Sequence, residues 1–240
     1  MNASSAARLR DNLTAVRGRI AEACRRAGRK PDEVRLVGVT KYVSAELAAA
    51  LVAAGCPDLA ESRPQALWAK AETLAGVVPQ PRWHLVGHLQ RNKVRRTIGL
   101  VSLLHSLDSR RLLETLEAEA AILGTPCMVL VEVNLAGTPE RTGLAAHDVA
   151  QLLAAAAACP HVRVCGLMGM AAVPEGPAAS AVSRRQFADL RDLRDRLRAD
   201  IPATISLAEL SMGMSGDFEE AILEGATLVR IGSALWEGVG

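Results

Sequence analysis

Leu36-Val37-Gly38-Val39-Thr40-Lys41-Tyr42-Val43-Ser44 is an apolar run that ends abruptly in a lysine and passes at once into a helix start signal. Residues 34–40 predict a fully buried strand, because β-branched residues dominate and no polar alternation interrupts them. Ser44 is a favourable N-cap for the helix that follows, and Gly55 is a favourable stop for it. The stretch therefore predicts a buried strand, a short turn and a helix, with Lys41 where the strand emerges from the core.

The same unit recurs along the chain, as apolar segments of strand length alternating with helical patterns. The eight predicted strands cover residues 34–40, 58–61, 83–87, 101–105, 128–134, 162–170, 205–212 and 227–232. The helical patterns after the first unit cover residues 64–75, 92–98, 110–123, 147–158, 181–199 and 216–224, and a further helix at 6–27 precedes the first strand. This alternation predicts a (β/α)8 barrel with an extra N-terminal helix, as a single domain over residues 1–240. An open doubly wound sheet of six strands is the alternative, but no GxGxxG follows a predicted strand.

Composition argues against several kinds of function. The formal net charge of +2 is too small to imply a nucleic-acid or membrane partner, and an aromatic content of 2% argues against a surface that stacks on bases. No apolar run reaches the length of a membrane span and the N-terminus has no apolar signal-peptide core, so we expect a cytoplasmic location. The five cysteines have no CxxC spacing, which indicates core thiols rather than disulfides or a zinc site.

Lys41 occupies a place where barrel enzymes carry functional groups, since their active sites lie at the carboxyl ends of the strands. A lysine at the mouth of an apolar pocket can have its pKa lowered by desolvation, which makes the amine a nucleophile towards an aldehyde. The alternative is an ordinary strand-end lysine that extends into solvent. Position alone favours this second interpretation, because such lysines are common and catalytic ones are rare.

Small and hydroxyl residues gather after the last two predicted strands. Backbone N–H groups, hydroxyls and a helix N-terminus in these two loops suit a phosphate dianion. The residues that could supply them are Ser211, Gly213, Ser215, Gly232 and Ser233. Each one alone could be a turn or cap residue, but both loops together favour an anion site.

Arg230 interrupts the apolar run Leu228-Val229-Arg230-Ile231 of the last predicted strand. A guanidinium inside a barrel needs an acceptor that offsets its desolvation. That acceptor is either a carboxylate or a heterocyclic nitrogen of a cofactor. A lysine, a phosphate site and a buried arginine at the mouth of one barrel point to pyridoxal 5′-phosphate (PLP).

Six stretches of the chain match a known family. They are LVGVTKYVS, WHLVGHLQRNKVR, HSLDS, VLVEVNLAGTPERTGL, GLMGM and ELSMGMSGDFEEAILEGATLVRIGSALWEG. On these stretches the chain resembles the pyridoxal phosphate homeostasis protein family, small single-domain relatives of the alanine racemase N-terminal barrel, of PLP fold type III. The resemblance implies a Schiff base between the cofactor and Lys41, a phosphate held around Ser211, Gly232 and Ser233, and Arg230 facing the pyridine nitrogen. For Lys41, the resemblance therefore favours a reactive lysine over an ordinary strand-end lysine.

Other polar residues have weaker assignments. Met212 and His84 are further predicted cofactor-binding residues, although His84 could equally be a satisfied core histidine. His88 and His105 have no metal-ligand spacing, so they are interpreted as structural and no metal site is predicted. The basic cluster at 91–96 is interpreted as a solvated helix face.

One stretch departs from the family pattern. Ala60-Glu61-Ser62-Arg63-Pro64-Gln65-Ala66 stands where the family usually has Gly-Glu-Asn and, shortly downstream, Gln-Glu. Serine has a shorter reach than asparagine and Ala66 lacks the carboxylate, so a contact of the family's asparagine is not carried over to Ser62. Cofactor binding is still expected, because the lysine and the phosphate positions are intact.

The mechanism expected of such a site is limited by two features. An arginine does not give up its proton, so Arg230 would leave the pyridine nitrogen unprotonated and the ring a weaker electron sink. In the related alanine racemases a tyrosine from an added β-domain is the second base; we expect no such domain here, and the sole tyrosine, Tyr42, adjoins Lys41. The remaining candidates for a second base are Cys165, Met168 and His84.

We therefore predict a protein that holds PLP on Lys41 and buffers it or delivers it to PLP-requiring apo-enzymes, with little or no catalysis. The first alternative is an amino-acid racemase or another carbanion-forming enzyme. The second is a structural barrel whose lysine never meets a cofactor. Neither nucleic acid nor membrane is an expected partner, and the expected state is a monomer or weak dimer.

Overall fold

The parallel strands of this protein close into one barrel, in a computed structural model that describes residues 3–138, 140–172, 179–202 and 205–239. The strands are β1 (Arg35–Val39), β2 (Asp58–Glu61), β3 (Arg82–Leu85), β4 (Val101–Leu107), β5 (Cys127–Val133), β6 (Val162–Gly169), β7 (Glu209–Ser211) and β8 (Leu228–Ile231). Each strand pairs in parallel with the next, and β8 pairs back with β1. The predicted (β/α)8 barrel is confirmed.

Helices connect the strands on the outside of the barrel. They are α1 (Ala3–Arg26), α2 (Ala45–Ala53), α3 (Pro64–Thr73), α4 (Val94–Ile98), α5 (Arg110–Leu123), α6 (Val149–Ala156), α7 (Ala179–Arg198), α8 (Phe218–Leu223) and α9 (Ser233–Trp236). The predicted helices are present, with ends within one turn of those expected, whereas α9 was not predicted. Within the residues described, no helix is both long and apolar enough to span a membrane.

The seventh predicted strand was too long. Residues 205–212 were expected to be extended, but regular pairing is confined to β7. Ile205 and Leu207 are buried all the same, because they pack in the layer between barrel and helices. A short apolar run without alternation does not distinguish a strand from a loop that packs against the core.

Two apolar layers stabilise the barrel. The side chains that fill its interior are aliphatic and come from most of the strands: Val37, Ala60, Leu103, Leu130, Met168 and Leu228. A larger cluster lies between the strands and the helices, with Phe187 and Phe218 among its fully buried members. Burial of both faces explains why the strands read as continuous apolar runs, and it makes each polar residue inside the barrel conspicuous.

The N-terminal helix packs beside the last strand–helix units. The apolar side chains on one face of α1, from Leu9 and Leu13 to Cys24, are buried. Asn12 Nδ2 donates hydrogen bonds to the carbonyl oxygens of Leu235 (3.1 Å) and Glu237 (2.8 Å). The extra helix therefore ties the N-terminal part of the chain to the segment that follows β8.

A glycine in β6 gives a test of the strand packing. A Cβ on Gly166 would overlap the carbonyl oxygen of Glu209 on the neighbouring β7. We expect Gly166→Ala to lower the free energy of unfolding by about 1–3 kcal/mol or more, because backbone must move to admit the methyl group. Urea unfolding would measure this loss.

The matched control is Gly18→Ala in α1, where a Cβ meets no atom within 4 Å. An exposed helical alanine should raise the free energy of unfolding by about 0.5–1 kcal/mol, because it restricts the unfolded chain and favours the helix. Equal stability of Gly166→Ala and the wild type would contradict the close approach of β6 and β7.

Candidate cofactor site

A cavity of about 570 Å3 opens at the carboxyl end of the barrel. Its wall is formed by the loop after β1, the turn after β7, and the junction of β8 with α9. Polar groups on this wall come from Lys41, Ser215, Arg230 and Ser233, and apolar ones from Val39 and Trp236. The cavity therefore combines amine, guanidinium and hydroxyl groups in a volume suited to a small molecule.

Lys41 lies at the mouth of this cavity, two residues after β1. Its side chain is exposed, and its Nζ lies 4.8 Å from the centre of the Tyr42 ring. The lysine is thus reachable from solvent rather than enclosed in an apolar pocket. The chain has four lysines, all within the described residues, and Lys41 alone lines the cavity.

The residue before Lys41 is anchored by a buried ion pair. Thr40 Oγ1 donates to Glu61 Oε1 (2.7 Å), and Lys70 Nζ lies 2.5 Å from the same oxygen. Lys70 also donates to the carbonyl oxygen of Thr40 (2.6 Å). Glu61, at the end of β2, therefore turns towards α3 and fixes the start of the lysine loop. Lys70 was not singled out from the sequence, because a helix lysine carries no signal of such a partner.

A tight turn after β7 brings Ser215 to the cavity. Gly213 has a φ of 89°, and a Cβ there would lie 2.6 Å from Ala221 Cβ, so only glycine fits. Ser215 Oγ accepts hydrogen bonds from the N–H groups of Gly232 (3.2 Å) and Ala234 (3.3 Å). The Ser215 hydroxyl thus links the turn after β7 to the β8–α9 junction.

The same two loops offer hydrogen-bond donors to an anion. Within the ranges described, the backbone N–H groups of Ser215 and Ser233 donate no hydrogen bond. Ser233 is exposed and Ser215 is half-buried. Free N–H groups beside two hydroxyls can bind a phosphate. The residues at this end of the cavity therefore fit a phosphate group.

Arg230 is buried at the floor of the cavity, with 3% of its surface exposed. Its Nη1 donates to Ser211 Oγ (2.6 Å) and its Nη2 to the carbonyl oxygen of Gly169 (3.0 Å). Each of these neutral oxygens accepts one hydrogen bond from the guanidinium, where the sequence suggested a carboxylate or a cofactor nitrogen as acceptor. Burial lowers the pKa of Arg230 to about 10, and the negative charges of Asp217 and Glu132 oppose the shift, so it is a cation at neutral pH.

The structure brings together four of the sequence-predicted site residues: Lys41, Arg230, Gly232 and Ser233. The other three do not line the cavity. His84 and Ser211 are buried inside the barrel, and Met212 is buried in the layer between barrel and helices.

Ser215 and Trp236 also line the wall; the sequence predicted Ser215 only as a candidate phosphate ligand, and it did not predict Trp236. Ser215 was one of several serines and glycines that suited a phosphate. Trp236 Nε1 donates to the carbonyl oxygen of Val39 (2.8 Å), a contact between α9 and β1 that no local pattern reveals.

The other polar residues singled out from the sequence do not line the cavity. His88 Nδ1 lies 2.9 Å from Asp108 Oδ2 on the surface. In the basic cluster, Arg95 pairs with Glu119, and Arg96 stacks on Trp68 at 4.4 Å from its ring centre. The described residues contain no group of three or more His, Cys, Asp or Glu side chains placed to hold a metal ion.

Comparison with known proteins relates the whole barrel to one class. A protein-family model described as "Alanine racemase, N-terminal domain" matches residues 12–238. A pyridoxal phosphate homeostasis protein from Aquifex aeolicus is 37% identical over 226 residues, which cover 94% of this chain and 96% of that protein.

Two solved structures are similar over almost the whole chain. One is an unknown protein from Bifidobacterium adolescentis, with a TM-score of 0.90, 34% identity, and coverage of 98% of this chain and 97% of that one. The other is PipY of Synechococcus elongatus PCC7942 with PLP bound, with a TM-score of 0.81, 31% identity, and coverage of 95% and 99%.

Fold and site together define a barrel of the alanine racemase N-terminal-domain class. Within that class, the chain belongs to the pyridoxal phosphate homeostasis protein family. The resemblance found in the six sequence stretches is thereby confirmed.

The buried ion pair beside the lysine loop can be tested by substitution. Lys70→Met leaves the Glu61 carboxylate buried without its cation, so we expect the free energy of unfolding to fall by about 3–5 kcal/mol. The double variant Glu61→Gln/Lys70→Met removes both charges and should recover much of that loss. Urea unfolding of both variants checks this, and additive losses would contradict the coupling.

Glu132 gives a pH-dependent prediction. This β5 carboxyl is buried; burial raises its pKa, although Thr142 Oγ1 donates a hydrogen bond to it (2.5 Å). The folded protein then binds the proton more tightly than the unfolded chain, so stability should fall as pH rises from about 4.3 through the raised value. Glu132→Gln should remove this component of the pH profile of unfolding; identical profiles would contradict it.

Proposed function

We propose that this protein binds PLP reversibly through Lys41 and buffers or delivers it inside the cell, with little or no catalysis. The observation that carries the proposal is a single cavity that combines a reachable lysine amine, a buried guanidinium and free backbone N–H donors. The related PipY was solved with PLP bound, and the Aquifex relative is named for pyridoxal phosphate homeostasis.

Each group of the cavity has a proposed role. Lys41 Nζ would be the nucleophile for the cofactor's aldehyde carbon, with water as the leaving group, and the free N–H groups and hydroxyls of Ser215 and Ser233, on either side of the Gly232 junction, would hold the phosphate. Arg230 would face the pyridine nitrogen and, because it remains a cation, would donate to that nitrogen without protonating it. When bound, PLP can act as an electron sink for a substrate carbanion, a capacity that this unprotonated nitrogen weakens.

Limited catalysis is supported by the groups that line the cavity. Among the described residues on its wall there is no carboxylate, histidine or cysteine. Tyr42 is adjacent to Lys41 in sequence and packs beside its amine, so it offers no base from an opposite side. A racemase needs such a second group, and for this reason the amino-acid racemase is the weaker alternative.

The proposal also covers cofactor transfer, cellular location, domain organisation and oligomeric state. Exposure of Lys41 at the cavity mouth supports exchange of the cofactor with PLP-requiring apo-enzymes. The cytoplasmic location, the single domain over residues 1–240 and the monomeric or weakly dimeric state remain predictions from the sequence. Sedimentation would test whether the protein is a monomer or a weak dimer. Mixing the PLP-loaded protein with an apo-enzyme would test the transfer.

The lysine assignment has a direct test. Protein incubated with PLP should show the visible absorption of the lysine-bound cofactor, and borohydride followed by peptide mass mapping should place the added mass on Lys41. Lys41→Ala should lose both signals, while the control Lys30→Ala, at an exposed lysine outside the cavity, should keep them.

Two outcomes would contradict the proposal. An unchanged spectrum in Lys41→Ala would exclude Lys41 as the attachment point. Exchange of the α-proton of an amino acid in heavy water, far faster than with free PLP, would favour the racemase over the carrier.

A further inference from the structure

A line of buried polar side chains crosses the inside of the barrel, from Arg230 at the cavity to Asp58 at the amino end of β2. Arg230 Nη1 lies 2.6 Å from Ser211 Oγ, which lies 2.9 Å from His105 Nδ1. His105 Nε2 lies 2.9 Å from His84 Nδ1, and His84 Nε2 lies 3.1 Å from Asp58 Oδ1. None of the five side chains belongs to a residue more than 4% exposed. The line therefore runs through the aliphatic interior with almost no exposure to solvent.

The Asp58 end of the line accepts hydrogen bonds only. Arg82 donates to both carboxylate oxygens, from Nε to Oδ1 (2.8 Å) and from Nη2 to Oδ2 (2.5 Å). Burial opposes ionisation of this carboxyl, but the hydrogen bonds from Arg82 and His84 outweigh it and hold the pKa of Asp58 well below its usual range. Because Asp58 is a carboxylate at neutral pH, His84 Nε2 must carry a proton and donate it.

The Arg230 end donates only. Ser211 Oγ accepts from the guanidinium, so its own proton is free to be donated to His105 Nδ1. Burial, the largest cause, together with the charge of Arg230, lowers the pKa of His105 well below its usual value and keeps this imidazole neutral. His105 then carries its proton on Nε2 and donates to His84 Nδ1. All four bonds of the line therefore point the same way, from Arg230 to Asp58.

We propose that Ser211, His105 and His84 are positioning residues for Arg230, which they hold at the cavity through this one-way chain of hydrogen bonds ending on the Asp58–Arg82 pair. The inference rests on the proposed role of Arg230 towards the cofactor. None of the three residues lines the cavity, so they act through the guanidinium. A rotation of Arg230 would leave the Ser211 hydroxyl and a buried charge without their partner, which makes the observed position the stable one.

The direction of the chain can be tested without any cofactor. Nitrogen-15 NMR of the imidazoles at neutral pH should show both His84 and His105 as neutral Nε2–H tautomers. Ser211→Ala removes the donor to His105 Nδ1, so the resonance of that nitrogen should move. An Nδ1–H tautomer of His105, or a doubly protonated His84, would overturn the assignment.

The effect on the cofactor site is tested in the PLP-loaded protein. His105→Leu interrupts the chain, whereas His105→Gln keeps one acceptor and one donor in the same place. We expect His105→Leu and Ser211→Ala to weaken PLP binding about tenfold and to shift the absorption maximum of the lysine-bound cofactor, because the guanidinium loses its fixed position. His105→Gln should restore both properties towards the wild type.

A buried hydroxyl elsewhere provides the control. Thr97 Oγ1 accepts from Trp68 Nε1 (3.1 Å) and donates to the carbonyl oxygen of Lys93 (2.7 Å), away from the cavity. Thr97→Val should lower the melting temperature as Ser211→Ala does, without a spectral shift. Thermal unfolding of every variant shows whether weaker PLP binding comes from loss of the fold or from displacement of Arg230 in a folded protein.

The outcomes keep the two proposals distinct. If the wild type takes up no PLP, the proposed function fails, and the tautomer experiment still decides the direction of the chain. If the wild type binds PLP and the folded His105→Leu and Ser211→Ala variants bind it with the same affinity and spectrum, the positioning role is overturned.

Discussion

The pairing of β1 with β8 is the contact on which the cavity depends. Val37 lies opposite Arg230 and Gly38 lies opposite Ile231 in the parallel register. Because parallel strands end at the same edge, this register places the loop that carries Lys41 beside the junction of β8 and α9. In an open sheet the first and last of these strands would not meet, so closure of the barrel creates the cavity as well as the fold.

Burial of charge is the main constraint inside this barrel. The interior is otherwise aliphatic, and a guanidinium there loses the hydration that water would provide. Arg230 compensates through Ser211 and Gly169, and Ser211 in turn depends on His105. Apolar residues of similar size would pack such a core at least as stably, which supports a functional reason for the polar line.

The elements of the fold could be predicted because their signals are local. Buried parallel strands give continuous apolar runs, and residues such as Ser44 and Ser109 accept hydrogen bonds from the N–H groups that begin their helices. The rule that barrel sites lie at carboxyl strand ends then led to Lys41, Arg230, Gly232 and Ser233. The same rule could not tell which of Ser211 and Ser215 reaches the cavity. One ends β7 and faces the interior, and the other follows the Gly213 turn and faces the cavity.

The sequence by itself determined the alternation of strands and helices, the family, and the strand ends that carry the lysine and the arginine, because each depends on residues close together in the chain. Only the tertiary structure decided which hydroxyl meets the cavity, that Glu61 pairs with Lys70, and that His84 and His105 join Asp58 to Arg230. Those contacts link residues from different strands and helices, and their partners are set by the closure and register of the barrel, which no local pattern encodes.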